Sequence, residues 1–403
     1  MKKTLTSMFI VSAFVFASCG DSIEGKKLSL NDYQKHRVAA LEKLANTPND
    51  HLKPYQLEVK TTAEQRAGVR RISIRQFQIV SDCPAEHAGF SLGPGSPEST
   101  ITALASDLAD HFLSVASIRG VRIDSLGVSI ATRPDSVKLE EPIIYPHNIL
   151  YTVYVKSDAS DEELESIRLQ AEKESPVFHL VTEKQNVVQE IDYAQTPPVE
   201  QLTGPYAPGL RQYLQYKSKA IKWTEQQLAK DTILWQKLRE PEQYDRLHVE
   251  VDPLSGARKV HIRWHNFIHD NLPILGGGDL GPTSYEHILG TLTSCITHIT
   301  EIQAAKNDFI IDSLWVSVNA TYDLRAGREG FEDVPISLHN IKYTWHIRTP
   351  RSYEDAVKLR DLVESVCPIY NLYINEQTIE GRIIREDPDE YRLHPQSRSQ
   401  YFY

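Results

Sequence analysis

Apolar positions recur with a helical period in two distant stretches. Ile101, Leu104, Leu108, Phe112 and Val115 fall every three or four residues, and Ile288, Leu292, Cys295, Ile299 and Ile302 repeat the spacing. Each set lines one face of a helix. Start signals precede both: Ser96 reads as an N-cap with Pro97 at the first helical position, and Thr283-Ser284-Tyr285-Glu286 reads as a capping box. Alternation over 71–77 and 259–267 predicts strands, and further strands are expected at 125–131, 149–155, 313–318 and 341–347. A second helix in each region starts at Ser160 or Ser352, with an acid three residues on, and stops where Pro176 or Pro368 forbids continuation. Residues 33–45 predict a short helix. Residues 209–238 predict a longer one, rich in Lys, Gln and Glu and so a partly exposed connector. Strand groups and helices do not alternate strictly, which favours α+β over a parallel α/β sheet.

The two stretches are copies of each other. The run from Gly68 to Arg75 matches that from Gly256 to Arg263, Leu92–Glu98 matches Leu280–Glu286, and Ile123–Ser129 matches Ile311–Ser317, all at one offset. After a short insertion in the second copy, His147–Thr152 matches His339–Thr344. Four ordered matches define a tandem repeat. The expected organisation is a leader at 1–18, a tether with a short helix at 19–55, a first domain at 56–195, a linker with a long helix at 196–245, a second domain at 246–385 and a tail at 386–403. Lys43-Leu44 is matched to Lys237-Leu238, and the tail is either disordered or a packed strap.

The leader sharpens the picture. Lys2 and Lys3, an apolar run from Met8 to Phe16, and the small residues Ala17 and Ser18 precede Cys19. This is a secretory pattern, and the cysteine after the small residues resembles a bacterial lipobox. Cys19 is therefore the expected lipidation site, with the chain anchored in the cell envelope at the outer membrane. No later stretch reaches the ~18 apolar residues of a membrane span. The net charge is −10 over 403 residues, which disfavours nucleic acid as a partner. Four cysteines are too few for a disulfide scaffold.

Three features of the second copy carry the chemistry: Gly281-Pro282-Thr283-Ser284-Tyr285-Glu286, then Leu292-Thr293-Ser294-Cys295 on the same helix, and Cys367-Pro368 ending the next. With Ile311-Asp312-Ser313-Leu314 they resemble the OsmC/Ohr family of thiol peroxidases and its OsmC-like branch. The resemblance spans most of 56–195 and 246–385. It implies intertwined dimers with sites at the subunit interface, so two tandem copies would build an intramolecular pseudo-dimer and the chain would be a monomer. It also implies Cys295 as peroxidatic residue, Cys367 as resolving residue and Glu286 as their acid, with no cofactor. Two departures stand out. Well-studied members carry the Glu ten residues before the first cysteine, where Tyr285 stands here. Their loop Arg has no counterpart between Trp264 and Glu286; Arg263, His265, His269 or His287 could substitute, or Arg75 of the first copy could reach across to supply a cation. The first copy has Asp107 and Ser175 where the second has Cys295 and Cys367, and Cys83 aligns with Asn271.

Other candidates are weaker. His261, His265 and His269 recur every four residues and would share a strand face, but no recognisable spacing follows, so no metal is expected. Gly276-Gly277-Gly278 reads as a flexible loop, since no P-loop Lys-Ser/Thr follows. The expected function is thiol-dependent reduction of organic hydroperoxides outside the cytoplasm, at one Cys295/Cys367 site served by a thiol reductant. The alternative is a non-catalytic lipoprotein that binds a hydrophobic small molecule between the domains.

Overall fold

The computed structural model describes residues 30–64, 67–133, 135, 139–198, 209–230 and 247–386. The leader, Cys19, the Lys237-Leu238 correspondence and the tail after 386 lie outside them. The first repeat runs α1 (Asn31–Ala45), β1 (Tyr55–Ala63), β2 (Arg70–Ile74), β3 (Phe77–Ser81), α2 (Ser96–Ile118), β4 (Ser125–Thr132), β5 (Ile149–Lys156), α3 (Asp161–Glu174), α4 (Pro176–Thr182) and β6 (Val187–Gln195). After α5 (Gly209–Lys230) the second gives β7 (Leu247–Val251), β8 (Arg258–Ile262), β9 (His265–His269), α6 (Ser284–Lys306), β10 (Ser313–Tyr322), β11 (His339–Thr349), α7 (Tyr353–Val366), α8 (Pro368–Tyr373) and β12 (Ile379–Ile384). The class is α+β.

Neither repeat owns a sheet. One six-stranded sheet has the order β3-β2-β1-β10-β11-β6 and the other β12-β5-β4-β7-β8-β9. The repeats join where β1 runs antiparallel to β10, from Tyr55 opposite Tyr322 to Thr62 opposite Trp315. The equivalent join pairs Gly127–Ser129 of β4 with Glu250–His248 of β7. β6 and β12 then add parallel edge strands to β11 and β5. Each span expected as a domain thus takes strands from the other to complete its sheets.

Between the sheets lie the two long helices, α6 on the first sheet and α2 on the second, packed against each other. Their register is fixed by three polar contacts: Thr100 Oγ1 to Thr291 Oγ1 at 2.7 Å, Ser96 Oγ to Ser294 Oγ at 3.2 Å, and Ser284 Oγ to Asp107 Oδ1 at 2.6 Å. Low residues of one helix meet high residues of the other, so the pair is antiparallel. Small hydroxyl side chains let the backbones approach while leaving no buried polar atom unpaired at these contacts.

The helix starts follow the sequence closely. Thr283 caps α6 and Glu286 returns the bond to the Thr283 N–H at 2.9 Å; Ser160 and Ser352 cap α3 and α7. Ser96 is instead the first residue of α2, and the Gly95 N–H donates to Glu98. Pro176 and Pro368 end one helix and open the next, because proline's missing N–H is harmless at a first turn. The single strands expected over 71–77 and 259–267 are hairpins. Two-residue turns at Arg75-Gln76 and Arg263-Trp264 break them, with φ of 49° and 57° at the arginines. No Gly or Asn announced those turns. The triple-glycine loop is packed closely. A Cβ on Gly277 would lie 2.0 Å from the Asn271 carbonyl oxygen, and Asp270 accepts from the N–H groups of Asn271, Gly278 and Leu280.

The connector helix α5 is also more than a spacer. Leu210, Tyr213, Leu214 and Ile221 are buried, and it packs on α6 and the turn Ala85–His87 as α1 packs on α2 and the turn Pro273–Leu275. Tyr33 donates to the Gly276 carbonyl and Tyr213 to that of Ala88. Tyr33 therefore corresponds to Tyr213 and Arg37 to Lys217, a register different from the Lys43–Lys237 match.

Candidate functional site

Cys295 sits inside α6, and Cys367 caps α8 after the break at Val366. The fold sets the two thiols side by side, near enough that Cys295 perturbs Cys367. Both are buried and neither is disulfide-bonded. Burial, with the Cys295 thiol alongside, holds the Cys367 thiol well above its ordinary pKa. At neutral pH Cys367 is therefore a thiol and a poor first nucleophile.

The matching pocket of the first repeat is closed by hydrogen bonds. Asp107 Oδ2 accepts from Ser175 Oγ at 2.6 Å and from the Val177 N–H at 3.3 Å, and Oδ1 accepts from Ser284. His111 lies 3.8 Å from the carboxylate. Carboxylate and hydroxyl stand where the other pocket has two thiols, and they satisfy each other.

Two arginine–glutamate pairs bridge the repeats. Arg75 grips Glu286 with Nε to Oε1 at 2.6 Å and Nη2 to Oε2 at 3.0 Å, and Asp279 at 2.7 Å. Arg263 reaches Glu98 at 2.9 Å. Arg75 does cross between repeats, as its position allowed, but it serves the far end of the helix pair. Ser284, two residues from Glu286, meets Asp107, whereas Ser96, two residues from Glu98, meets Ser294 next to Cys295. Glu286 is separated from Cys295 by roughly 13 Å of helix rise. The structure brings Cys295 and Cys367 together and leaves Glu286 apart. Arg263, one of the cations the sequence offered, and Glu98 mark the thiol's end, and the repeat offset applied to Glu286 would have found Glu98.

Buried charge is concentrated at both ends of the pair. Asp110 is held by Arg37 at 2.9 Å and Arg258 at 3.3 Å. Burial alone would raise its pKa; the two guanidinium groups outweigh this and hold it at about 2. In the equivalent region Lys217 lies 3.3 Å from Glu301 and 3.8 Å from Cys83 Sγ, and Arg70 contacts His298 at 3.2 Å. Burial still leaves Glu301 raised despite Lys217 and Arg70, and raises Cys83 likewise. Cys83 belongs to this charged network, beside Lys217, and not to the thiol pair. His261, His265 and His269 do not share a strand face. The turn at Arg263-Trp264 puts His265 on β9, and buried His269 bonds His287 at 2.9 Å.

Residues 276–381 match a family model described as OsmC-like protein. The match lies within the second repeat. Among solved structures the chain is similar to an OsmC-like protein from Mycoplasma pneumoniae, at 16% identity over 32% of this chain and 86% of that one, with a TM-score of 0.25. No curated protein matches. Among the described residues no helix is long and apolar enough to cross a membrane.

Proposed function

We propose that this protein reduces organic hydroperoxides at the single Cys295/Cys367 pocket, as a lipid-anchored protein of the cell envelope with Cys19 as the lipidated residue. The observation that carries the reading is the contact between two buried thiols from separate helices, in the repeat that contains the OsmC-like match. The Cys295 thiolate attacks the terminal peroxide oxygen. The O–O bond breaks, the alcohol leaves with a proton, and Cys295 becomes a sulfenic acid. Cys367 sulfur then attacks Cys295 sulfur, water leaves, and a disulfide forms. An external dithiol returns two electrons and two protons and is itself oxidised. Arg263, paired with Glu98 at the same end of the helices, supplies positive charge near the developing thiolate.

Cumene hydroperoxide consumption with dithiothreitol as reductant tests this. Wild type should turn over, Cys295→Ser should lose activity at least a hundredfold, and Cys367→Ser should stall after one equivalent unless dithiothreitol resolves the sulfenic acid directly. No turnover by wild type, or equal turnover by Cys295→Ser, overturns the reading. The binding alternative draws on a cavity of about 220 Å³ between α5 and the end of α6, lined by Leu214, Ala304, Ala305, Phe309 and Ile310 with Arg211 at its edge.

A further inference from the structure

On the outer face of the second sheet, away from the thiols, three side chains converge. β7 alternates so that Leu247, Val249 and Val251 are buried and His248 and Glu250 project from the other face. In the ladder His248 stands directly opposite His261 of β8. The two imidazoles stack at 4.4 Å between centroids and 15° between planes. His248 Nε2 is 3.6 Å from Glu250 Oε1, and His261 Nε2 is 3.9 Å from Glu250 Oε2. One donor atom from each residue fits within 4.8 Å of the other two.

Those distances fit a single small cation. Zinc–nitrogen and zinc–oxygen bonds of ~2.0–2.1 Å at tetrahedral angles put ligand atoms about 3.4 Å apart. The two histidine–glutamate contacts, at 3.6 and 3.9 Å, lie close to that spacing, and the histidine pair, within 4.8 Å, closes onto the ion by side-chain rotation. We propose that His248, Glu250 and His261 bind a divalent transition-metal ion, with zinc the best match to two imidazoles and one carboxylate. Two residues alternating on one strand and a third across the ladder need no loop to bring them together, so the sheet itself sets the geometry.

Two further features fit a ligand set. Asn266 Oδ1 can only accept, so His261 Nδ1 donates to it, at 2.5 Å. The lone pair of the neutral ring is then on Nε2, the nitrogen facing Glu250. Such outer hydrogen bonds orient metal-binding histidines. The fold does not demand these residues. At the equivalent positions the first repeat has Lys60, Thr62 and Ser73, with Lys60 opposite Ser73. All three candidate ligands are about three-quarters or more buried, which leaves a side open for water or substrate as a fourth ligand.

The test is titration of chelator-treated protein with zinc chloride alone, followed by calorimetry and by metal analysis after dialysis. A Cys295→Ser/Cys367→Ser background removes the thiols as competing ligands. One zinc per chain is expected. Glu250→Gln and His261→Ala should weaken binding more than tenfold, and Asn266→Ala, which keeps all three ligands, roughly tenfold. Cobalt in place of zinc should show no thiolate charge-transfer band even with the cysteines present. Circular dichroism checks that each variant is folded, and His248→Gln is read wherever His261→Ala is not. Absence of saturable binding, or unchanged stoichiometry and affinity in His248→Ala/His261→Ala, overturns the proposal.

Discussion

The Cys295/Cys367 pocket and the Asp107/Ser175 pocket occupy the same place in two copies of one fold. Both pair a residue inside a central helix with the cap of the short helix that follows Pro176 or Pro368. In one, the partners are thiols in contact; in the other, a carboxylate bound by two hydroxyls and a backbone N–H. The comparison separates what the fold needs from what the chemistry needs. The fold needs two side chains that fill the gap between the helices and satisfy one another. Only the second copy fills it with groups that can exchange electrons.

The largest way to break the comparison is to separate the copies. Residues 246–385 alone lose β1 beside β10, β6 beside β11, and β4 and β5 beside β7 and β12. They also lose α2, the partner of α6. The exposed edges and apolar faces should make the fragment aggregate or dimerise. Sedimentation that found a stable, monodisperse monomer would show that the interleaved sheets are dispensable.

The next effect lies inside the pockets. Asp107→Ala leaves Ser175, Ser284 and the Val177 N–H without their acceptor in a buried site. The loss should be about 3 kcal/mol. Cys295→Ala removes one buried sulfur and should lose about 1 kcal/mol. Urea unfolding of both variants measures the gap. Equal losses would mean that the first pocket is no more structurally committed than the second.

How much of this was legible follows from the kind of interaction involved. Capping boxes and apolar stripes are local, and Thr283, Ser160 and Ser352 announced their helices. The repeat was legible because both copies keep their core-facing residues. The hairpin turns were hidden because Arg75 and Arg263 adopt a left-handed backbone that arginine rarely takes. Glu286 lies apart from the thiols for a topological reason: nine residues along α6 are distance in space, and antiparallel packing brings Ser96 of the other copy to the residue beside Cys295. His248, Glu250 and His261 could not be grouped before β7 and β8 were known to pair.

Acid should act on the copies in different windows. Burial keeps His269, His287 and His298 below the ordinary histidine value, His287 at about 3. The unfolded chain therefore takes up their protons first, and stability falls as pH drops from 6.5 towards 3. The first copy has Ser81, Ser99 and Asp110 at those positions. Asp110, held at about 2, contributes stability that is present above pH 3.8 and lost only as pH falls towards 2. Replacing the pair with the first copy's residues, His269→Ser/His287→Ser, should flatten the urea midpoint between pH 6.5 and 5. An unchanged slope would place the acid sensitivity elsewhere.

The smallest expected difference is between the two arginines. Arg75 makes two bonds to Glu286 and a third to Asp279, while Arg263 makes one to Glu98 and lies over the exposed Trp264 ring, 5.0 Å from its centroid. Both carry the same backbone strain, which alanine would keep, so the strain cancels between Arg75→Ala and Arg263→Ala. What remains is the ion pairs. Arg75 is partly solvated, and screening limits its contribution, so Arg75→Ala should lose about 1 kcal/mol and Arg263→Ala less. Function should reverse that order. Arg263 lies at the thiol's end of the helix pair and Arg75 at the carboxylate's, so Arg263→Ala should slow hydroperoxide reduction about tenfold while Arg75→Ala leaves it nearly unchanged. Paired melts and peroxide assays on the two variants decide this, and a slower Arg75→Ala enzyme would return the catalytic charge to Arg75 and Glu286.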